Sequence, residues 1–267
     1  QLGMVPVSGS ALDRAIALNG AAVDGNRRAF GWGRLAAVHP HWVLAQAGLD
    51  ERPPRAQPLE ALIRHRRDAL IAWQDARWAA SYVERVERVR LAEATECASE
   101  ELAAVVARNL FRLMSYKDEY EVARLYSEPA FAAQLEATFE GDYRIELHLA
   151  PPFLPAGVDA RGYPRKRAFG PWILSLMRVL RHGKRLRGTW LDPFARHADR
   201  RLERALIDEY LELIEEVLEG LEPERHALAQ EILDLPAAVR GFGPVKAEAA
   251  RRMRARRDTL LTRWRQH

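Results

Sequence analysis

The sequence predicts a mainly α, multi-helix protein with a long amphipathic helix and a small β element. Three observations carry this. From Leu59 to about Glu96 no proline or glycine interrupts a run in which Leu59, Leu62, Ile63, Leu70, Trp73, Ala80, Val83 and Val86 recur at near-helical spacing. Two more stripes follow in the carboxy-terminal third: Leu202, Leu206, Tyr210, Leu213, Val217 and Leu221, then Val245, Ala249, Met253, Leu260 and Trp264. Period-two alternation is best seen between Tyr143 and Leu149, where Tyr143, Ile145, Leu147 and Leu149 alternate with Arg144, Glu146 and His148, the pattern of a half-buried strand.

Taken in chain order, Ser10 is placed to cap a first helix carrying Leu12, Ala15 and Ile16, which Asn19-Gly20 ends. A second helix over Ala21 to Val38 has Val23, Phe30 and Leu35 as its apolar residues, and His39-Pro40 stops it. A connector then runs to the prolines at 53, 54 and 58. The organisation expected is residues 1–38, a linker over 39–58, and a helical domain over 59–267. The run from Leu59 reads as one helix or two in line, an arm or a coiled hairpin. Ser99 is the expected cap of the next helix, whose stripe is Leu102, Val105, Val106, Leu110 and Leu113, with Glu100 and Glu101 at its positive end. Pro151 to Pro171 reads as a long loop with a basic triplet, a type that is usually functional or docked on something.

Bulk composition narrows the function. The 267 residues are 48% apolar, enough for one large or two modest cores. No apolar run reaches the ~18 residues of a membrane span, and the start lacks the features of a signal peptide. The chain does not begin with Met, which suggests a processed or truncated product. Its single cysteine, Cys97, excludes an internal disulfide and cannot alone hold a cluster or a thiolate zinc site; the reading is a small residue near a helix end in a reducing cytoplasm. Basic and acidic residues nearly balance, 41 against 37, so the local concentrations at Arg251 to Arg257 and at Arg165-Lys166-Arg167 carry more meaning than the total.

Known catalytic motifs are missing. There is no phosphate loop, no dinucleotide glycine fingerprint, no paired histidines one helical turn apart and no nucleophile elbow. What stands out are four polar and aromatic clusters. In the first, Tyr116, Lys117, Glu119, Tyr120 and Glu121 would put ion pairs and stacked aromatics on neighbouring faces of a helix. The second is Arg165-Lys166-Arg167 followed by Phe169-Gly170-Pro171-Trp172, where Pro171 would open a helix and the basic loop would grip an anion or an acidic neighbouring domain. The third spans Arg187 to Phe194 and includes Asp192; the fourth spans Arg240 to Lys246, with Gly241 and Gly243 allowing close backbone approach. Candidate anion-binding or interface residues are therefore Lys117, Glu119, His148, Arg165, Lys166, Arg167, Arg187, Asp192, Arg240 and Lys246.

In order along the chain, these clusters resemble the carboxy-terminal region of long, single-chain indolepyruvate ferredoxin oxidoreductases. The matching stretches are Ala15 to Asn26 with Phe30, Gly33 and Arg34, then Val106 to Tyr126, His148 to Pro152, Arg165 to Trp172, Arg187 to Phe194, and Arg240 to Lys246. The resemblance implies that residues 1–38 are the tail of a gamma-like domain and that the rest is an appended accessory domain. It further implies a cytoplasmic, homodimeric enzyme that uses thiamine diphosphate and iron–sulfur clusters on other domains, with no cofactor, metal or catalytic group on this chain. Partners would then be the catalytic domains themselves, with ferredoxin or coenzyme A as further contacts.

Two other readings compete. The pI of about 9.4 and the Arg251 to Arg257 run suit a nucleic-acid-binding helical module. Lys117, Glu119 and His148 are of the types that perform acid–base catalysis, which suits a stand-alone enzyme.

Overall fold

A computed structural model describes residues 7–49, 58–141, 143–150, 157 and 165–266. It is mainly α with a small two-stranded antiparallel sheet, and the chain divides into two units, 1–57 and 58–267.

In the first unit Ser8, not Ser10, caps helix α1 (Gly9–Asn19), its hydroxyl accepting from the Ala11 amide at 3.2 Å. Gly20 takes the left-handed conformation at φ 68°, which lets the chain turn into α2 (Val23–Val38). Arg27 of α2 forks onto Asp13 of α1 at 2.9 and 3.0 Å. Pro40 does stop α2, but it also opens a third helix, α3 (Pro40–Gln46), inside the stretch expected to be linker, because proline suits a first helical turn. Trp32 and Trp42 stack with ring centroids 6.1 Å apart. No described residue of this unit is buried.

The second unit holds the core. The Leu59–Glu96 run is two helices that pack on each other, α4 (Leu59–Trp73) and α5 (Ala76–Cys97). The break comes from Asp75, whose carboxylate caps α5 through the Trp78 amide at 2.8 Å and so competes with continued helix. The cap of α6 (Glu101–Met114) comes from further away. Ser99 accepts from Glu101 at 3.2 Å, but the fully buried Glu93 of α5 takes the Leu102 and Ala103 amides at 2.8 and 2.9 Å. Its carboxylate also meets the Ser99 hydroxyl and the His226 ring, the latter 2.7 Å from Oε1.

Helix α6 lies at the centre, its Leu102, Val106 and Leu110 fully buried. Around it pack α4, α5, α10 (Ala198–Glu219) and α11 (His226–Leu233). The last helix, α12 (Pro244–Gln266), closes the core with Met253, Leu260 and Trp264, although Val245, from the same predicted stripe, is exposed.

A smaller cluster forms beside this core. It joins Ala123 of α7 (Glu119–Ser127), Leu147 of β1 (Leu147–Leu149), and Ile173 and Met177 of α9 (Ile173–Leu180). Helix α8 (Pro129–Thr138) precedes β1, which pairs with β2 (Arg167–Phe169) in the register Leu147↔Phe169 and Leu149↔Arg167. The strand is thus shorter than the alternation from Tyr143 suggested, because only its second half finds a pairing partner. Much of the expected 151–171 loop lies outside the described residues. At its end, residues 171 and 172 form a turn and α9 begins at Ile173.

Candidate functional site

The richest polar site lies where α6 ends and α7 begins. Helix α6 stops at Met114, and Asp118 caps the start of α7, accepting from the Glu121 amide at 2.8 Å. Tyr116 and Lys117 therefore sit in a turn, and the helical pairing of Lys117 with Glu121 does not form; Glu121 pairs with Arg124 instead, at 2.7 Å.

Arg187 is the centre of this site. It forks onto Asp118 through Nε at 2.6 Å and Nη2 at 2.9 Å, and its Nη1 donates to the Trp73 carbonyl at 2.6 Å and to Gln74 Oε1 at 2.8 Å. Its guanidinium lies 3.5 Å from the centroid of the Trp73 ring. The ion pair is almost wholly buried, with side chains 5% and 3% exposed. The planar fork of arginine suits two acceptors and a ring face at once, which a lysine would not.

A second buried carboxylate, Asp192, sits nearby. Tyr120 donates to its Oδ1 at 3.0 Å, as does the Phe194 amide at 3.0 Å, while Gly188 donates to Oδ2 at 3.3 Å. The turn Arg187 to Phe194 is thereby folded onto α7, with Phe194 edge-on to Tyr120. Burial, then the Asp192 hydrogen bond, push the Tyr120 hydroxyl far above its ordinary range. Tyr116, buried against Trp73, is pushed up to about 12, mainly by burial.

Lys184, in the short 3-10 helix Arg181–Leu186, donates to the Ala72 and Ile71 carbonyls at 2.7 and 3.4 Å and so caps the end of α4. On the opposite side Arg200 of α10 bridges Glu119 at 3.2 Å and the Lys117 carbonyl at 2.9 Å. Lys117 itself is exposed, its ammonium 5.4 Å from the Phe242 ring. Lys246 pairs with Glu203 of α10, and the exposed Arg240 reaches the Ala237 carbonyl at 3.2 Å.

The first, third and fourth clusters thus touch through side chains or the α10 residues between them. The remaining candidates lie apart. Arg165, Lys166 and Arg167 are exposed on and before β2, and His148 is exposed on β1, paired with Glu146 at 3.0 Å. Among the described residues no hydrogen bond joins His148 to Lys117 or Glu119, so the three proposed acid–base groups do not form a unit.

Sequence reading missed Arg200, Glu203, Lys184 and the Glu93–His226 pair. Each is an ordinary charged residue on a helix surface until its distant partner is known, and the pairs are up to 133 positions apart. The Arg251 to Arg257 run finds carboxylate partners. Arg254 and Arg257 both meet Glu209, Arg256 meets Glu231, and Arg251 and Arg252 meet Glu248. Arg254 and Arg257 tie α12 to α10, while Arg251, Arg252 and Arg256 stay mostly exposed.

The site's chemistry follows from these partners. Asp118, Asp192, Glu119 and Arg187 are each held by two or more donors or acceptors, an arrangement that fixes segments in place. A groove of about 850 Å³ between α11 and α12, lined in part by Glu231, Asp234 and Arg252 and by Pro244 and Val245 of the fourth cluster, is open. Among the described residues no three His, Cys, Asp or Glu side chains gather as a metal site would require, and no helix is long and apolar enough to cross a membrane.

A family model described as a family of unknown function, DUF6537, matches residues 59–259, so the chain belongs to that family. No curated protein and no solved structure matches it.

Proposed function

We propose that residues 58–267 are a non-catalytic docking domain of a larger 2-oxoacid:ferredoxin oxidoreductase of the indolepyruvate type. The observation that carries the reading is how the polar groups are used. The buried members of the motif clusters, Arg187, Asp118, Asp192 and Tyr120, satisfy one another, whereas an acid–base centre needs a group aimed at a substrate position. Support also comes from the six motif stretches that resemble such oxidoreductases in order. In this reading thiamine diphosphate, the clusters and the oxoacid belong to other domains, and the exposed cations of this domain meet acidic surfaces.

Calorimetric titration of the purified chain with coenzyme A, thiamine diphosphate and an aryl pyruvate tests this. The expected result is no saturable heat from a chain shown by circular dichroism to be folded. Saturable binding of any of the three, lost in Lys166→Ala, would make this a ligand-binding domain and overturn the proposal.

A further inference from the structure

Helix α9 has two apolar faces, and among the described residues one of them is packed and the other is exposed. Ile173 and Met177 pack beneath it against Ala123 and Leu147. Trp172, Leu176 and Val179, at positions i, i+4 and i+7, form a second stripe that points to solvent, 60%, 51% and 71% exposed. The stripe is about 10 Å long, roughly two helical turns. At its amino end the Trp172 ring stands edge-on to Phe169 of β2, with centroids 6.0 Å apart.

Along the sequence here the charge is one-sided, and the neighbouring carboxylates outside this stretch, Glu146, Asp192 and the Glu119 and Glu121 of α7, are already paired with His148, Tyr120, Arg200 and Arg124. Between Leu147 and Leu191 the sequence holds nine Arg and Lys but a single carboxylate, Asp159, although the whole chain holds 41 against 37. Arg187 and Lys184 are spent on internal bonds. Arg165, Lys166 and Arg167 lead into the stripe, Arg178 lies on α9 and Arg185 follows it, and none of these five has a carboxylate partner among the described residues.

We propose that this face binds an acidic amphipathic helix of a partner protein, laid along α9. An apolar ridge at helical spacing fits the groove of another helix, and Trp and Arg are both enriched among the residues that carry most of the energy of protein interfaces. Carboxylates on the flanks of the incoming helix complement the unpaired cations. A second copy of this face would bring like charges together. A bilayer offers too little grip on three side chains of an eight-residue helix. Leu176 and Val179 offer nothing for nucleic-acid bases to stack on. The inference rests on the docking reading above and adds the face and the chemistry of the partner.

The test is fluorescence anisotropy of a labelled helical peptide with a leucine stripe flanked by glutamates, titrated with the full chain. Its counterpart with lysines for glutamates, phosphatidylserine vesicles and single-stranded RNA serve as rival probes. The acidic peptide is expected to bind at least tenfold more tightly than the basic one and to weaken as salt rises. Trp172→Ala and Val179→Asp should each weaken it about tenfold with an unchanged melting curve, since both side chains are exposed. Lys166→Glu with Arg178→Glu should narrow the preference for the acidic peptide. Equal binding of the two peptides, insensitivity to the Trp172 and Val179 changes, or tighter Trp172-dependent binding of vesicles or RNA would each overturn the proposal. Any of these would leave the wider docking reading standing, because that reading fails only on small-ligand binding.

Discussion

At the scale of single residues, the fold depends on charges taken out of water and repaid by geometry. Removing one member of the Arg187–Asp118 pair strands the other in a site where both are almost fully buried. Arg187→Met is therefore expected to cost about 3–5 kcal/mol in chemical denaturation. The double change with Asp118→Asn should cost less than the sum of the two single changes, which a double-mutant cycle reads directly. Glu93 makes the same point with a pH signature. Burial pushes its carboxyl up, but the His226 ring and the Leu102 and Ala103 amides outweigh that and hold it below its ordinary value of 4.5. A carboxylate lowered in the folded state adds stability above its unfolded value, and that stability is lost as pH falls through the native value. Glu93→Gln should thus cost about 1–3 kcal/mol at neutral pH, with the gap to the wild type closing in melts run below pH 4.5. A gap of constant size across that range would mean that the charge is not what caps α6.

At the scale of elements, the sequence shows the apolar stripes and hides the joints. The stripes of α4, α5, α6 and α10 are legible because a helix must bury one face, and residues such as Leu62, Leu110, Leu206 and Tyr210 repeat at its period. The joints depend on partners far along the chain. Asp75 can be read as a cap beside its own helix, whereas Glu93 capping α6 and Lys184 capping α4 cannot, for each sits on a different element, away from the helix end it serves. The strand from Tyr143 was half right for a related reason, since alternation predicts a half-buried segment but not how much of it finds a partner. The candidate site was legible as motifs and illegible as a network: Arg187 and Asp192 stand out by composition, but that they lock onto Asp118 and Tyr120 is a fact of packing. One such contact gives a sharp test. Gly183 runs so close to Tyr120 that a Cβ there would lie 2.5 Å from its Cε1 atom. Because that ring is buried and tied to Asp192, it cannot swing aside freely. Gly183→Ala should cost about 1–3 kcal/mol of unfolding free energy, and Gly188→Ala, which meets nothing within 4 Å but has a φ of 78°, should act through backbone strain alone.

At the scale of the whole molecule, the two units differ in what holds them together. Residues 59–264 contribute one continuous core spanning six helices, together with the small cluster under the β1–β2 hairpin. Residues 7–49 contribute three helices, an Asp13–Arg27 pair and a Trp32–Trp42 stack, with no buried side chain among them. Exposed ion pairs contribute about 0–1 kcal/mol, and helices of 11, 16 and 7 residues are marginal in water without packing. A polypeptide of residues 58–267 is therefore expected to unfold in one cooperative transition, while residues 1–57 alone should show little helix in far-ultraviolet circular dichroism at 25 °C. If the short fragment were instead strongly helical and melted cooperatively, its stability would have to come from self-association, which sedimentation would reveal. If it is unstructured, the apolar residues it exposes, Leu18, Trp32 and Trp42 among them, are a surface that folds only against something else. Both units would then share one logic, in which the larger is stable by itself and presents a charged face, and the smaller gains its structure from what it touches.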